Sequence, residues 1–168
     1  MVWDLALALR DCLCAELAGD PPDDGCCVVH GDNVALPNCC SMAWVRVVET
    51  YGTAGFPNRA PGTMPVSCNG GVDGWAAVVE LGIGRCVATL DEYGNAPPCH
   101  ERETDARRAL ADQAALLRAA WCCDWRQVAG LVRDERVVLG GVVPFGPQGG
   151  CAGSTLQVTV ELCGGPCG

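Results

Sequence analysis

The stretch TLQVTVEL, residues 155–162, decides how we interpret this chain. Leu or Val stands at every second position and a polar residue between them, which is the pattern of a strand with one face on a core. A second apolar run, 137–144, precedes it, and the loop FGPQGGCAG at 145–153 separates the two. Because that loop is rich in glycine and proline, we expect the two runs to pair as an antiparallel hairpin.

The rest of the chain alternates between helical and extended patterns. The spacing predicts helices over 3–18 and 101–121 and strands over 26–30, 42–51 and 75–90. The residues expected on the buried stripe of the second helix are Ala106, Leu110, Leu117 and Trp121. The order helix, strands, helix, hairpin is typical of an α+β fold with one mostly antiparallel sheet and helices packed on one side.

Length favours a single domain over residues 1–168, since 168 residues suffice for one hydrophobic core but not two. Within it, residues 52–74 contain six glycines and three prolines without apolar periodicity. This segment is expected to be an extended loop or arm that neighbouring molecules order. Gly82 and Gly84 in the predicted strand 75–90 indicate a bulge or a close backbone approach.

Charge narrows the function classes. The chain carries 20 acidic residues against 11 cations and a net charge of −9, and it contains no lysine. Lysine nucleophiles and lysine-containing phosphate loops are therefore excluded. An acidic domain also opposes nucleic-acid binding, which depends on clustered cations.

No motif predicts catalysis, a cofactor or a membrane anchor. Cys99 and His100 are neighbours in sequence, which rarely face each other as a nucleophile and its base. The segment Gly82-Ile83-Gly84 lacks the third glycine of a dinucleotide loop. Apolar runs fall well short of the roughly 20 residues that a membrane span needs, and the N-terminus does not resemble an export signal. We expect a non-enzymatic protein made in the cytoplasm.

Fourteen cysteines are the most conspicuous feature of the composition. Their spacing lacks C-x-x-C, which argues against a zinc site. Adjacent pairs flank a predicted turn at 31–38, so that one sulfur of each pair can face the other, and two further cysteines straddle the final hairpin. These candidates for disulfides or structural thiols are Cys26, Cys27, Cys39, Cys40, Cys151 and Cys163.

Five longer segments together are similar to a known family. They are the leading helix with its cysteines, GCCVVHGDNVALPNCCSMAWVRVVETYGTAGFP, GWAAVVELGIGRCVATLDEYGNAPP, a following helix, and VVPFGPQGGCAGSTLQVTVEL. The most specific pieces are the GPQGGCAG loop and the Cys-Cys entry into the W-V-R-V strand. Over nearly its full length the chain resembles tail terminator proteins of siphophages that infect high-GC actinobacteria.

The resemblance implies a structural virion protein of the tail or neck, assembled in the host cytoplasm. Such a protein forms a ring, usually a hexamer, that caps the tail tube, stops tube polymerisation and joins the tail to head connector proteins. DNA would pass through its lumen without specific binding. Candidate interface residues are Phe145, Gly146, Pro147, Gln148, Phe56 and Trp3. Candidate lumen charges are either Asp20, Asp23 and Asp24 or Glu101, Glu103 and Asp105.

Two alternatives stay open at this point. One is another neck or head-to-tail connector protein of the same virion. The other is a cytosolic cysteine-rich module that binds metal or carries out redox chemistry. Particle mass separates the ring from a monomeric module, and zinc analysis tests the metal-binding variant.

Overall fold

A computed structural model of the chain describes residues 2–36, 41–61, 74–125, 132–148 and 150–162, with the backbone alone at 132–135 and 148. The elements in chain order are α1 (Val2–Glu16), β1 (Cys26–Val28), β2 (Met42–Thr53), β3 (Gly74–Cys86), α2 (Cys99–Cys122), β4 (Val132–Gln148) and β5 (Cys151–Leu162). The α+β class is confirmed.

The five strands form one sheet in the order β1-β2-β3-β5-β4. The short β1 runs parallel to β2, and the other three pairings are antiparallel, so the sheet is mixed. The hairpin at the C-terminal side is confirmed, but its strands are longer than expected. Residues 145–148 and 151–153, predicted as loop, belong to β4 and β5.

One apolar core lies between the sheet and both helices. The strands contribute every second residue, as the alternation predicts, and each helix contributes one stripe. Members with the least exposure include Leu5, Leu9, Leu13, Val45, Val79, Leu81, Leu116, Leu156, Val158 and Val160. Because the strand members all lie on one face, both helices pack on that face.

The predicted buried stripe of α2 is wrong. Leu110, Leu117 and Trp121 are 65%, 44% and 77% exposed, and Ala106 is exposed as well. The buried residues of this helix are instead Asp112, Ala115, Leu116, Ala119 and Ala120. Small alanines allow α2 to lie close to α1 and the sheet, and they leave the large apolar side chains on the opposite side.

The second face of the sheet is covered by aromatic and aliphatic side chains that lie over glycines. A Cβ placed on Gly82 would stand 2.2 Å from the Trp44 ring, and one on Gly84 would stand 3.0 Å from Leu36. The close approach expected at these glycines is confirmed. Phe145 covers Gly153 in the same way, and its ring centroid lies 6.1 Å from that of Trp44.

A buried carboxylate fixes the Trp44 ring in this position. Glu80 accepts hydrogen bonds from Trp44 Nε1 at 3.2 Å and from Arg46 at 2.7 and 3.0 Å. Burial raises the pKa of Glu80, but the hydrogen bonds from Arg46 and Trp44 outweigh it, and the net pKa is lowered. Arg46 also donates to the carbonyls of Gly31 and Asp32, which ties the loop after β1 to the sheet.

Replacement of Gly82 by alanine is expected to displace the Trp44 ring and lengthen its bond to Glu80. The free energy of unfolding should fall by about 1–3 kcal/mol, the usual cost of overpacking, as measured by urea denaturation. Gly141→Ala is the matched control, because a Cβ there meets nothing within 4 Å; it should change stability by less than about 0.5 kcal/mol. Equal effects of the two substitutions would contradict the close packing of Trp44 on Gly82.

Candidate functional site

The two ends of the sheet contain different residue pairs and carry different groups of predicted site residues. At one end, which we call the hairpin end, Gly84 pairs with Met42 on one side and with Gly153 on the other. At the opposite end, the far end, Gly74 pairs with Thr53. The predicted site residues are distributed over both ends.

The predicted interface residues do not form one surface. At the hairpin end, Phe145 is half-buried against Trp44 of its own chain, whereas Gly146 and Pro147 are exposed. The structure describes only the backbone of Gln148. Phe56 is half-buried in the turn that follows β2 at the far end. Trp3, on α1, is 60% exposed.

The predicted bounds of the 52–74 arm are wrong at both ends, because Gly52 and Thr53 belong to β2 and Gly74 begins β3. The turn that contains Phe56 follows β2. Ala54 N–H donates to Asn58 O at 3.2 Å, and Ala60 N–H donates to Gly52 O at 2.9 Å. Residues 54–61 are therefore hydrogen-bonded within the chain next to the end of β2. The remainder of the predicted arm that lies between this turn and β3, residues 62–73, is outside the described residues.

The two alternative sets of lumen charges both lie at the hairpin end. Asp20, from the segment after α1, accepts hydrogen bonds from Arg108 of α2 at 2.8 and 2.9 Å. Asp105 accepts one from Ala88 N–H, just after β3, at 2.9 Å. We predicted the two sets as alternatives. In the structure, the hydrogen bonds from Arg108 to Asp20 connect the two segments that carry them.

The ion pair between Arg108 and Asp20 neutralises one negative charge of this acidic end. The bond from Arg108 is the main reason that the pKa of Asp20 is lowered, and it raises the pKa of Arg108. Asp23 accepts a bond from the Ser41 hydroxyl at 2.7 Å. The other predicted lumen charges, Asp24, Glu101 and Glu103, are exposed. The hairpin end thus presents acidic groups around a central ion pair.

A buried ion pair at the same end was not identified from the sequence. Arg85, 4% exposed, donates to both carboxylate oxygens of Asp112, 5% exposed, at 3.1 and 3.0 Å. It also donates to Asp20 O at 2.8 Å, so β3, α2 and the segment after α1 meet at one guanidinium. Sequence reasoning missed this pair because it placed Leu110 and Leu117 on the buried face of α2, and Asp112 does not lie on that face.

The cleft beside this ion pair is small. Its lining includes Arg85, Cys86, Asp105 and Arg108, and its volume is about 20 Å³, which is space for one water molecule. A substrate-sized ligand does not fit there. The arrangement joins three segments of the chain: β3, α2 and the segment after α1.

The structure pairs the cysteines differently from the expectation. Cys26 is disulfide-bonded to Cys14, with Cα atoms 6.0 Å apart, and Cys12 is bonded to Cys123, at 5.6 Å. Because β1 runs parallel to β2, residues 26–28 pair with 43–45 and form no hairpin with them. Both disulfides attach α1, one to β1 and one to the residue after α2.

The other candidate cysteines have different outcomes. Cys27 is half-buried and takes part in neither disulfide, and Cys151 is buried next to Cys86 in the strand register. Cys39, Cys40 and Cys163 lie outside the described residues, so their pairing stays a prediction.

The described residues contain neither a candidate metal site nor a helix that could span a membrane. Within ranges 2–36, 41–61, 74–125, 132–148 and 150–162, no three His, Cys, Asp or Glu side chains are placed to hold a metal ion. In the same part of the chain, no helix is long and apolar enough to cross a membrane.

Replacement of Asp112 by alanine would leave Arg85 buried without its carboxylate partner. We expect a loss of about 3–5 kcal/mol in the free energy of unfolding, measured by urea denaturation. Asp11→Ala is the control, since the Arg10–Asp11 pair is exposed and such pairs contribute at most about 1 kcal/mol. A cost for Asp112→Ala as small as that of the control would show that the ion pair does not hold these segments together.

Comparison with known proteins gave no assignment: no family model matches the chain, and no curated protein is similar to it in sequence.

Proposed function

We propose that this chain is a structural virion protein that assembles with copies of itself into a ring. Following the resemblance in sequence, the ring is a hexamer that caps a phage tail tube, stops its polymerisation and joins the tail to the head connector. Its partners are other copies of the chain, the tail tube protein and the head connector proteins. DNA passes through the lumen without specific binding.

The observation that carries the proposal is the apolar character of the edge strand β4. In the described sheet this strand has a neighbour on one side only, β5. Its helix-side residues Val137, Leu139 and Val142 pack against the margin of the core. On the other face, Val138 and Val143 are 41% and 60% exposed.

A strand that is apolar on both faces is typical of the interior of a sheet and unusual at its edge. Open edges of isolated domains are normally protected by charged residues, proline or short length. The segment from Val137 to Val143, VVLGGVV, contains no charged residue. This part of β4 therefore fits a strand that another molecule covers.

An exposed apolar stripe on α2 lies beside the same edge strand, but on the helix side of the sheet and therefore opposite to Val138 and Val143. Leu110, Leu117 and Trp121 lie on the side of the helix opposite to Arg108, which bonds to Asp20 after α1. Since α1 packs over β1, β2 and β3 and α2 over β3, β5 and β4, the stripe faces the β4 side. We call Leu110, Leu117, Trp121, Val138 and Val143 the edge surface.

A contact between the edge surface and a different part of the next copy is a head-to-tail contact, which closes into a ring when the rotation is right. Large exposed aromatic and aliphatic side chains are typical anchors of such interfaces. The net charge of −9 and the acidic hairpin end support a lumen that does not retain DNA.

The two alternative functions differ in what they predict for the edge surface and for the particle mass. Another neck protein of the virion would share the edge surface and differ in its position in the particle. A cysteine-rich redox or metal-binding module has no need of the edge surface and would remain at the 17.5 kDa of one chain.

Arginine in place of Val143, and separately of Leu117, is expected to break the assembly. Light scattering coupled to size-exclusion chromatography should give a mass several times 17.5 kDa for the unaltered chain and a mass near 17.5 kDa for both variants. Val48→Arg is the matched control, since Val48 is a similarly exposed valine, at 42%, on β2; its mass should equal that of the unaltered chain. Far-UV circular dichroism checks that every variant is folded.

Two outcomes would contradict the proposed assembly. One is an unaltered chain that stays at the mass of one subunit throughout a concentration series. The other is a mass that neither edge-surface substitution changes.

A further inference from the structure

The connection between β3 and α2 presents two large apolar side chains to solvent. Leu90 is 63% exposed and Tyr93 is 81% exposed. They lie three residues apart in a tight turn, residues 90–95, which we call the β3–α2 turn. Exposed aromatic side chains are enriched where proteins contact each other, so this turn is a candidate contact surface.

The backbone of the β3–α2 turn is held by its own hydrogen bonds. Asp91 Oδ1 accepts bonds from Tyr93 N–H at 2.9 Å and Asn95 N–H at 2.8 Å, and Asp91 Oδ2 accepts one from Asn95 Nδ2 at 2.9 Å. Asp91 N–H donates to Asn95 O at 3.1 Å. Gly94 has a φ of 82°, which glycine adopts without strain. A contact made through this turn would therefore cost little ordering of the backbone.

The proposed ring needs two different surfaces on each chain, one for each neighbour. The edge surface supplies one of them. Outside it, the large apolar side chains that are exposed in the described part of the chain are Trp3, Val48, Leu90 and Tyr93. The first two lie singly on α1 and β2, whereas the last two share one turn. The β3–α2 turn is thus the largest remaining apolar feature that could serve as the second surface.

The charges beside the turn and beside α2 are opposite in sign. Asp91 and Glu92 lie within the turn and are exposed. From residue 106 to the end of α2, the exposed charged residues are all arginines, at 107, 108 and 118, and the single acid, Asp112, is buried. Arg107 lies one turn before Leu110, on the side of the exposed apolar stripe. Opposite charges favour the approach of the turn to this part of α2, whereas the acidic hairpin end of another copy would repel it.

We propose that Leu90 and Tyr93 of one copy dock on the exposed α2 stripe of a second copy, the stripe formed by Leu110, Leu117 and Trp121. Glu92 of the first copy then lies near Arg107 of the second. The contact is head-to-tail, because the turn and the stripe are different parts of the chain. This inference rests on the proposed ring and specifies which segment of the next copy covers the stripe.

The test places the photoreactive amino acid p-benzoylphenylalanine at position 93 of the full chain. A mixture of isotope-labelled and unlabelled copies is irradiated, reduced, digested with trypsin and analysed by mass spectrometry. We expect position 93 of one copy to be joined to residues 109–118 or 119–126 of the other, the tryptic peptides that contain the stripe. The same amino acid at position 48 is the control, and it should not label these peptides.

Charge reversal gives a second readout. Glu92→Arg and Arg107→Glu should each raise the concentration at which half of the chain is assembled by about tenfold, because each places like charges at the contact. The double variant should return to within about threefold of the unaltered chain, since the opposite charges are restored. Sedimentation velocity over a concentration series measures all four proteins.

The outcomes separate this inference from the proposed ring. An unaltered chain that stays at the mass of one subunit contradicts both. A chain that assembles, but in which position 93 cross-links elsewhere or not at all, leaves the ring in place and overturns docking on the α2 stripe. A double variant that assembles no better than either single variant overturns it as well.

Discussion

The continuous pairing of β3 with β5 is the constraint on which the rest of the fold depends. Twelve consecutive residue pairs, from Trp75–Leu162 to Cys86–Cys151, run without a register shift. The two strands thereby keep their alternation in phase over their whole length. One face supplies the core beneath both helices, and the other supplies Gly82 for Trp44 and Gly153 for Phe145. At the end of the same ladder lies Arg85, which bonds to α2 and to the segment after α1.

The pairing on the other side of β5 is of a different kind. Between β4 and β5 the register shifts at three places, and β4 is the outermost strand of the described sheet. Its apolar residues on both faces resemble those of an interior strand, which is why we propose that another copy of the chain covers this edge. Exposed Leu117 and Trp121 on α2 lie beside the same strand, on the helix side of the sheet. The proposed assembly into a ring depends on two features: the regular ladder between β3 and β5, and the apolar edge strand β4 beside it.

Much of the fold could be predicted from periodicity alone. The alternation in β5 predicted its core-facing residues, because in a strand with one buried face every second side chain points to the core. The glycines of β3 identified the close approach that Trp44 makes. The same reasoning failed for α2, where large side chains were expected inside. The helix buries alanines and Asp112 instead, and only the position of Arg85 on another element explains a buried acid there.

The disulfides and the site depend on contacts between residues far apart in sequence. Cys12 and Cys123 are separated by 111 residues, and the spacing of cysteines contains no information on such a contact. The parallel pairing of β1 with β2 likewise removed the expected partners of Cys26. The two acidic segments lie together at the hairpin end because Arg108 on α2 donates a hydrogen bond to Asp20, which is 88 residues away in the sequence.

The length of tail tubes made without this protein tests the central claim most directly. We propose that the chain is encoded by a phage and ends polymerisation of its tail tube, so disruption of its gene in that phage should give headless tubes that are longer and more variable than normal tails in electron micrographs. Supply of the unaltered chain from a plasmid should restore the normal length, whereas Val143→Arg should not. Complete virions with tails of normal length, formed in the absence of the chain, would contradict the account.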